Sequence, residues 1–214
     1  MPEVTSALLA IHIVSGFAAL AAALVAASVK AFGMPHRWHV IGGRVFVASM
    51  FGVFLTAVPL ALIGGILFLL LVGILSFYLA IAGWREASRR RGGGAWIDRV
   101  APIVMIAAGA AMVGWGVMGL LAGNIGGVVP LAFGAIGLLV AIEDLLRLGR
   151  PAEGMARIAH HMSRMMGATI AVVTAFLVVN VRFEPGWVIW LGPTVLLTPL
   201  IFVWARRIRA GRFG

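Results

Sequence analysis

The stretch Val45–Trp84 reads VFVASMFGVFLTAVPLALIGGILFLLLVGILSFYLAIAGW, forty residues without one Asp, Glu, Lys or Arg. A spanning helix needs roughly 20 apolar residues to cross a hydrocarbon core of about 30 Å. This run is therefore too long for one crossing and must turn back on itself. The reversal is expected between Pro59 and Gly65, with Gly64-Gly65 supplying the tight turn. Two spans result, near 45–63 and 66–84.

Outward from this pair, five more apolar runs of spanning length lie between charged segments, near 4–29, 100–121, 125–146, 162–181 and 187–204. Together they predict an all-α, polytopic integral membrane protein, a seven-transmembrane-helix bundle forming one domain over residues 1–214. Composition points the same way. A chain of 214 residues that is 62% hydrophobic and 11% charged has more apolar surface than a soluble core of that size encloses. The net charge of +10 would suit a nucleic-acid binder only if its cations clustered on a soluble domain among exposed aromatics, and no such domain is present in the sequence. The absence of cysteine excludes disulfides, thiolate metal sites, iron–sulfur clusters and a cysteine nucleophile. The opening Met1-Pro2-Glu3 lacks the basic start of a signal peptide and leads into an apolar run too long for one, so the first helix is expected to be retained.

The cations give this bundle an orientation, because short loops rich in Lys and Arg stay cytoplasmic. Lys30, Arg37 and Arg44 follow the first span; Arg85, Arg89, Arg90, Arg91 and Arg99 follow the third; Arg147, Arg150, Arg157 and Arg164 follow the fifth; Arg206, Arg207, Arg209 and Arg212 follow the last. That places 16 of 17 cations on one side and leaves Arg182 alone on the other with Glu3 and Glu184. The N-terminus is predicted outside and the C-terminus in the cytoplasm, which requires an odd number of spans. Arg89-Arg90-Arg91 and the C-terminal cluster would meet anionic lipid headgroups, at about 1 kcal/mol per cation near the surface. The outer loops, such as Gly123-Asn124, leave no room for a ligand-binding domain. Gly109, Gly114 and Gly119 are expected to let helices approach closely, and Gly134 and Gly137 to do the same.

Ionisable side chains at membrane depth are costly and are therefore the functional candidates. One group gathers at the cytoplasmic ends of the spans: His36, His39 and Arg44; Glu143 and Asp144; His160, His161 and Arg164. Neighbours on a helix diverge by about 100°, whereas residues three apart share a face. His161 and Arg164 are thus expected to point together, and only one of Glu143 and Asp144 to face the bundle. Two roles fit. Three imidazoles and a carboxylate from this group would make a divalent-metal site, such as zinc, able to activate a water. Alternatively, an acidic side chain neutralises Arg44 or Arg164 at the rim while the histidines sit among headgroups or cap helices.

His12 stands apart, about 12 Å below the outer boundary and about 18 Å from the cytoplasmic group. Haem b held between helices would need a second axial ligand at that depth, for which Met112 is the candidate, giving a membrane redox protein. The other expectation is a hydrogen bond from His12 to Ser15, Thr56 or Thr174. Spans 1–3 and 5–7 also share orientation and a basic, histidine-bearing first loop, which suggests a parallel three-plus-one-plus-three repeat of the kind used by small-solute transporters. In that case Pro59, Pro130, Pro193 and Pro199 would break helices around a substrate path.

The segment His36-Arg37-Trp38-His39-Val40-Ile41-Gly42-Gly43-Arg44-Val45-Phe46, followed by Met50, resembles the His-Arg, Gly-Arg, aromatic and Met pattern of the predicted bacterial membrane proteins of domain of unknown function family 2306. His161 to Ala168, continuing through Ile170-Ala171 and Thr174 to Asn180, is similar to the same family, as are Trp190-Leu191-Gly192-Pro193-Thr194 and Thr198-Pro199-Leu200-Ile201. His12, Lys30 and Asp144 also fit its pattern. The resemblance implies a bacterial inner-membrane protein, supplies no activity or substrate, and ranks His36, Arg44, Asp144, His161 and Arg164 above His39, Glu143 and His160, which makes His36, Asp144 and His161 the metal-ligand set it favours and Arg44 and Arg164 its polar companions.

Overall fold

A computed structural model of the chain describes residues 2–88, 95–150 and 152–212. The Arg89-Arg90-Arg91 run lies outside these residues, as does the side chain of Lys30. Seven long helices are present among the described residues, each long and apolar enough to cross a membrane. They are α1 (Pro2–Ala31), α2 (His36–Ile63), α3 (Leu67–Ser88), α4 (Ile97–Leu121), α5 (Val128–Leu146), α6 (Gly154–Asn180) and α7 (Trp187–Arg209), with a single 3-10 turn at Ile125–Gly127 leading into α5. Large apolar side chains stand on their outer faces, among them Leu139, Val179, Leu196 and Phe202. Water would not tolerate so many, whereas lipid is as apolar as they are.

The helices extend beyond the apolar runs that predict them. α2 begins at His36 and α6 at Gly154, so segments expected as loops are helical and carry their histidines and arginines on rigid rods. Hydropathy marks only the part of a helix inside hydrocarbon, whereas the backbone ladder continues until a cap or turn ends it. Pro35, with no N–H to satisfy, precedes α2. The α2–α3 reversal falls at Gly64-Gly65 as expected, with Gly65 at φ +64°, a conformation glycine adopts without strain. The prolines do not break their helices: α2 runs through Pro59 and α7 through Pro193 and Pro199, while Pro130 sits in the first turn of α5, where no intrahelical partner awaits its nitrogen.

Contacts divide the chain into two compact units, Met1–Phe77 and Tyr78–Gly214. In the first, α1 and α2 form an antiparallel pair closed by small residues. A side chain at Gly42 would meet the backbone of Ala22 and Ala26 at 3.2 Å, and one at Gly52 would meet the Ser15 hydroxyl at 2.8 Å. Phe46 and Met50 fill its core, and Phe54 stacks on Phe77 at 4.8 Å.

In the second unit α4 and α5 touch backbone to backbone. Gly109 meets Gly134, both among the glycines expected to allow close approach, and Gly116 meets Gly127 two turns away; Met105 and Met112 are fully buried. A Cβ added at Gly114, expected to belong to such a close approach, would instead meet nothing within 4 Å among the described residues. Seven-residue spacing from Gly109 to Gly116, not five, keeps both glycines on the contact face. α6 packs on α7 through Ala159, Met162, Ala205 and Ile208. The last turns of α3 pack against α6 where Gly83 admits Met165.

Candidate functional site: a charge cluster at the helix ends

In the second unit a cluster of polar side chains joins the middle of α3, the C-terminal end of α5 and the first three turns of α6. Arg164, three turns into α6, has only 7% of its side chain exposed. Its Nη2 donates to Glu143 Oε2 and to Asp144 Oδ1, both at 2.7 Å. The other Asp144 oxygen accepts from the Tyr78 hydroxyl of α3 at 2.5 Å. Glu143 is shared outward, its second oxygen taking Arg147 Nη2 at 2.9 Å. Arg147 in turn meets His160 Nε2. A guanidinium only donates, so that imidazole nitrogen is the acceptor and the proton of neutral His160 sits on Nδ1. Two arginines face two carboxylates, and every charge in the cluster has a partner. Arg85 is paired separately, through a two-pronged bond to Asp98 at 2.8 and 3.0 Å.

His161 turns away from this cluster. Its Nδ1–H donates to the Gly83 carbonyl at 2.8 Å, which Gly83 permits by letting α3 and α6 come close. The expectation that only one of Glu143 and Asp144 faces the bundle is corrected: both reach Arg164. They sit in the last turn of α5, and the longer glutamate arm reaches back across the 100° between them. On α6 the buried face carries His160 and Arg164, four residues apart, so His160 rather than His161 shares Arg164's side. Tyr78 and Arg147 were missed. Arg147 reads in the sequence as a topology charge, and Tyr78, the sole tyrosine, lies inside an apolar run with nothing but its uniqueness to mark it.

Of the remaining candidates, His36 and Arg44 lie in the first unit. His36 is exposed in the first turn of α2 and stacks on His39 with ring centres 5.6 Å apart; Arg44 is exposed. His39 bonds the Ala26 carbonyl at 3.0 Å. Among the described residues no three His, Cys, Asp or Glu side chains gather in a metal-holding group, and both oxygens of Asp144 are already bonded. Within the second unit Asp144 bonds Arg164 and Tyr78, while His161 bonds the Gly83 carbonyl, so each already has its own protein partners.

His12 bonds Thr56 at 2.9 Å, one of the three partners expected for it. The Thr56 hydroxyl spends its proton on the Gly52 carbonyl at 2.8 Å, so His12 Nδ1–H is the donor. Met112, the candidate axial partner, is wholly buried on α4 with its Cβ close to Gly134. The Thr174 hydroxyl is buried and makes no hydrogen bond among the described residues. Replacing Thr56 by Val is expected to destabilise the protein by about 0.5–1.5 kcal/mol, the usual range for an interhelical hydrogen bond in a membrane. Thr56→Ser should keep most of that. Unfolding in mixed micelles of increasing SDS content measures both, and equal stability of Thr56→Val and wild type would show that the bond contributes nothing.

No family model, curated protein or solved structure matches this chain.

Proposed function

We propose that this chain is a multi-pass protein of the bacterial inner membrane, with its N-terminus outside and its C-terminus in the cytoplasm, whose functional centre is an ion-pair clasp at the cytoplasmic helix ends. The clasp ties α3, α5 and α6 together through Tyr78, Glu143, Asp144, Arg147, His160 and Arg164. The observation that carries it is Arg164, almost wholly buried and held by two carboxylates at once. A buried guanidinium is tolerated only when so compensated. The charge balance also gives a reason why the site needs no ion to complete it, which favours a clasp over a metal centre. The likeness of His36 to Phe46 and of His161 to Asn180 to domain of unknown function family 2306 belongs to the same proposal. Arg206, Arg207, Arg209 and Arg212 would rest on anionic headgroups in this arrangement.

The orientation is tested directly, because the chain has no cysteine of its own. Single cysteines at Gly123 and Glu184 are expected to react with a membrane-impermeant maleimide in intact cells, while cysteines at Arg99 and Arg150 react only after lysis. The opposite pattern overturns the topology. The clasp is tested by elemental analysis of the purified protein: about one tightly held divalent ion per chain, lost in His161→Ala, would replace it with a metal site.

A further inference from the structure

Between α6 and α7 the chain crosses from one spanning helix to the next through a short exposed segment, and there it forms an open cleft of about 350 Å³. Its walls combine opposite charges with apolar and aromatic surface: Arg182 and Glu184 beside Phe183 and Trp190, with Val178 and Ile189 on the helices below. Arg182 and Glu184 are two apart in a non-helical stretch, line the same cleft, and among the described residues make neither a hydrogen bond nor an ion pair. The other interhelical charges described above are paired. We propose that this cleft binds the headgroup of a zwitterionic phospholipid carrying a phosphate and a primary ammonium, as in phosphatidylethanolamine.

The chemistry follows from the lining. Arg182 matches the phosphate oxygens, and Glu184 accepts from the ammonium. The Trp190 ring adds an aromatic surface of the kind found at headgroup level. Val178 and Ile189 continue the cleft into the apolar helix faces, where the acyl chains of a lipid, but not a free solute, would lie. An anionic lipid would satisfy Arg182 and leave Glu184 facing a negative headgroup. The inference rests on α6 and α7 spanning the membrane, not on which way they face, so failure of the proposed orientation or of the clasp leaves it standing.

The test uses the full-length protein, delipidated in detergent and then exposed to equimolar phosphatidylethanolamine and phosphatidylglycerol, with retained lipid counted by native mass spectrometry. Wild type should retain the ethanolamine lipid about fivefold over the glycerol lipid, the factor one charged contact at the surface supplies. Glu184→Gln should abolish that preference, lowering ethanolamine-lipid binding and relieving the repulsion that disfavours the glycerol lipid, and Arg182→Gln should weaken both. Both side chains lie outside the helices, and circular dichroism and melting checks that the variants fold. Equal retention of the two lipids by wild type, or a preference untouched by Glu184→Gln, overturns the proposal. Displacement of the lipid by millimolar glycerophosphoethanolamine, which has no acyl chains, overturns its assignment to a lipid.

Discussion

Replacing Arg164 by Met is expected to lower the stability of the purified protein by about 3–5 kcal/mol, the range for breaking a buried ion pair from one side. The loss comes less from the missing bonds than from what stays behind. Glu143 and Asp144 would remain as adjacent carboxylates, with Arg147 able to serve only the first. Asp144, the more enclosed of the two, carries the larger share, so Asp144→Asn should cost more than Glu143→Gln. Arg164→Lys should fall between wild type and Arg164→Met, since it keeps the charge on a shorter arm with a different hydrogen-bonding geometry. The decisive comparison adds Glu143→Gln and Asp144→Asn to Arg164→Met. With no charge left uncompensated, this triple variant should regain much of the lost stability. Unfolding in mixed micelles reads all of these, and Arg164→Met as stable as wild type, or a triple variant no better than Arg164→Met, would refute the clasp.

Gly116→Ala is expected to destabilise the protein by about 1–3 kcal/mol, and Gly116→Val by more. A Cβ at position 116 would stand 2.5 Å from the Leu131 nitrogen and 2.7 Å from the Gly127 carbonyl oxygen. These are backbone atoms, which cannot swing aside as a side chain would, so α4 and α5 must separate. Gly127→Ala meets the mirror-image obstacle, the Gly116 carbonyl at 2.6 Å. Gly114→Ala supplies the contrast. It meets nothing within 4 Å among the described residues, and alanine is the better helix former by about 1 kcal/mol, so this variant should be unchanged or slightly more stable. Two substitutions of identical chemistry, two residues apart, are thus expected to differ in sign. The same effect at both positions would refute the seam.

The seven long apolar helices were legible because a bilayer demands a length of apolar sequence that can be read directly, as Val45–Trp84 illustrates. The ends of α2 and α6 were not, since a helix leaving the hydrocarbon keeps its hydrogen bonds while losing its apolar signature. In the cluster, Asp144 and Arg164 could be picked out as charges near an apolar boundary. Tyr78 could not, because a hydroxyl within an apolar run acquires meaning only when another helix brings an acceptor to it. The pairing of both carboxylates with one arginine escaped an argument from helical phase, which fixes the direction of Cβ but not the reach of the side chain beyond it. Phase likewise singles out no one member of the Gly-rich run from Gly109 to Gly119 until the partner helix is in place.

The positive charges of Arg147 and Arg164 serve two different stages. During insertion, in the proposed topology, they belong to the basic segment after α5 that holds its loop on the cytoplasmic side, a step to which nearby acidic residues contribute little. Once the helices assemble, the same charges are neutralised by Glu143 and Asp144 and no longer attract lipid. The net charge of the chain is unchanged, but the charges that orient it need not be those that later anchor it.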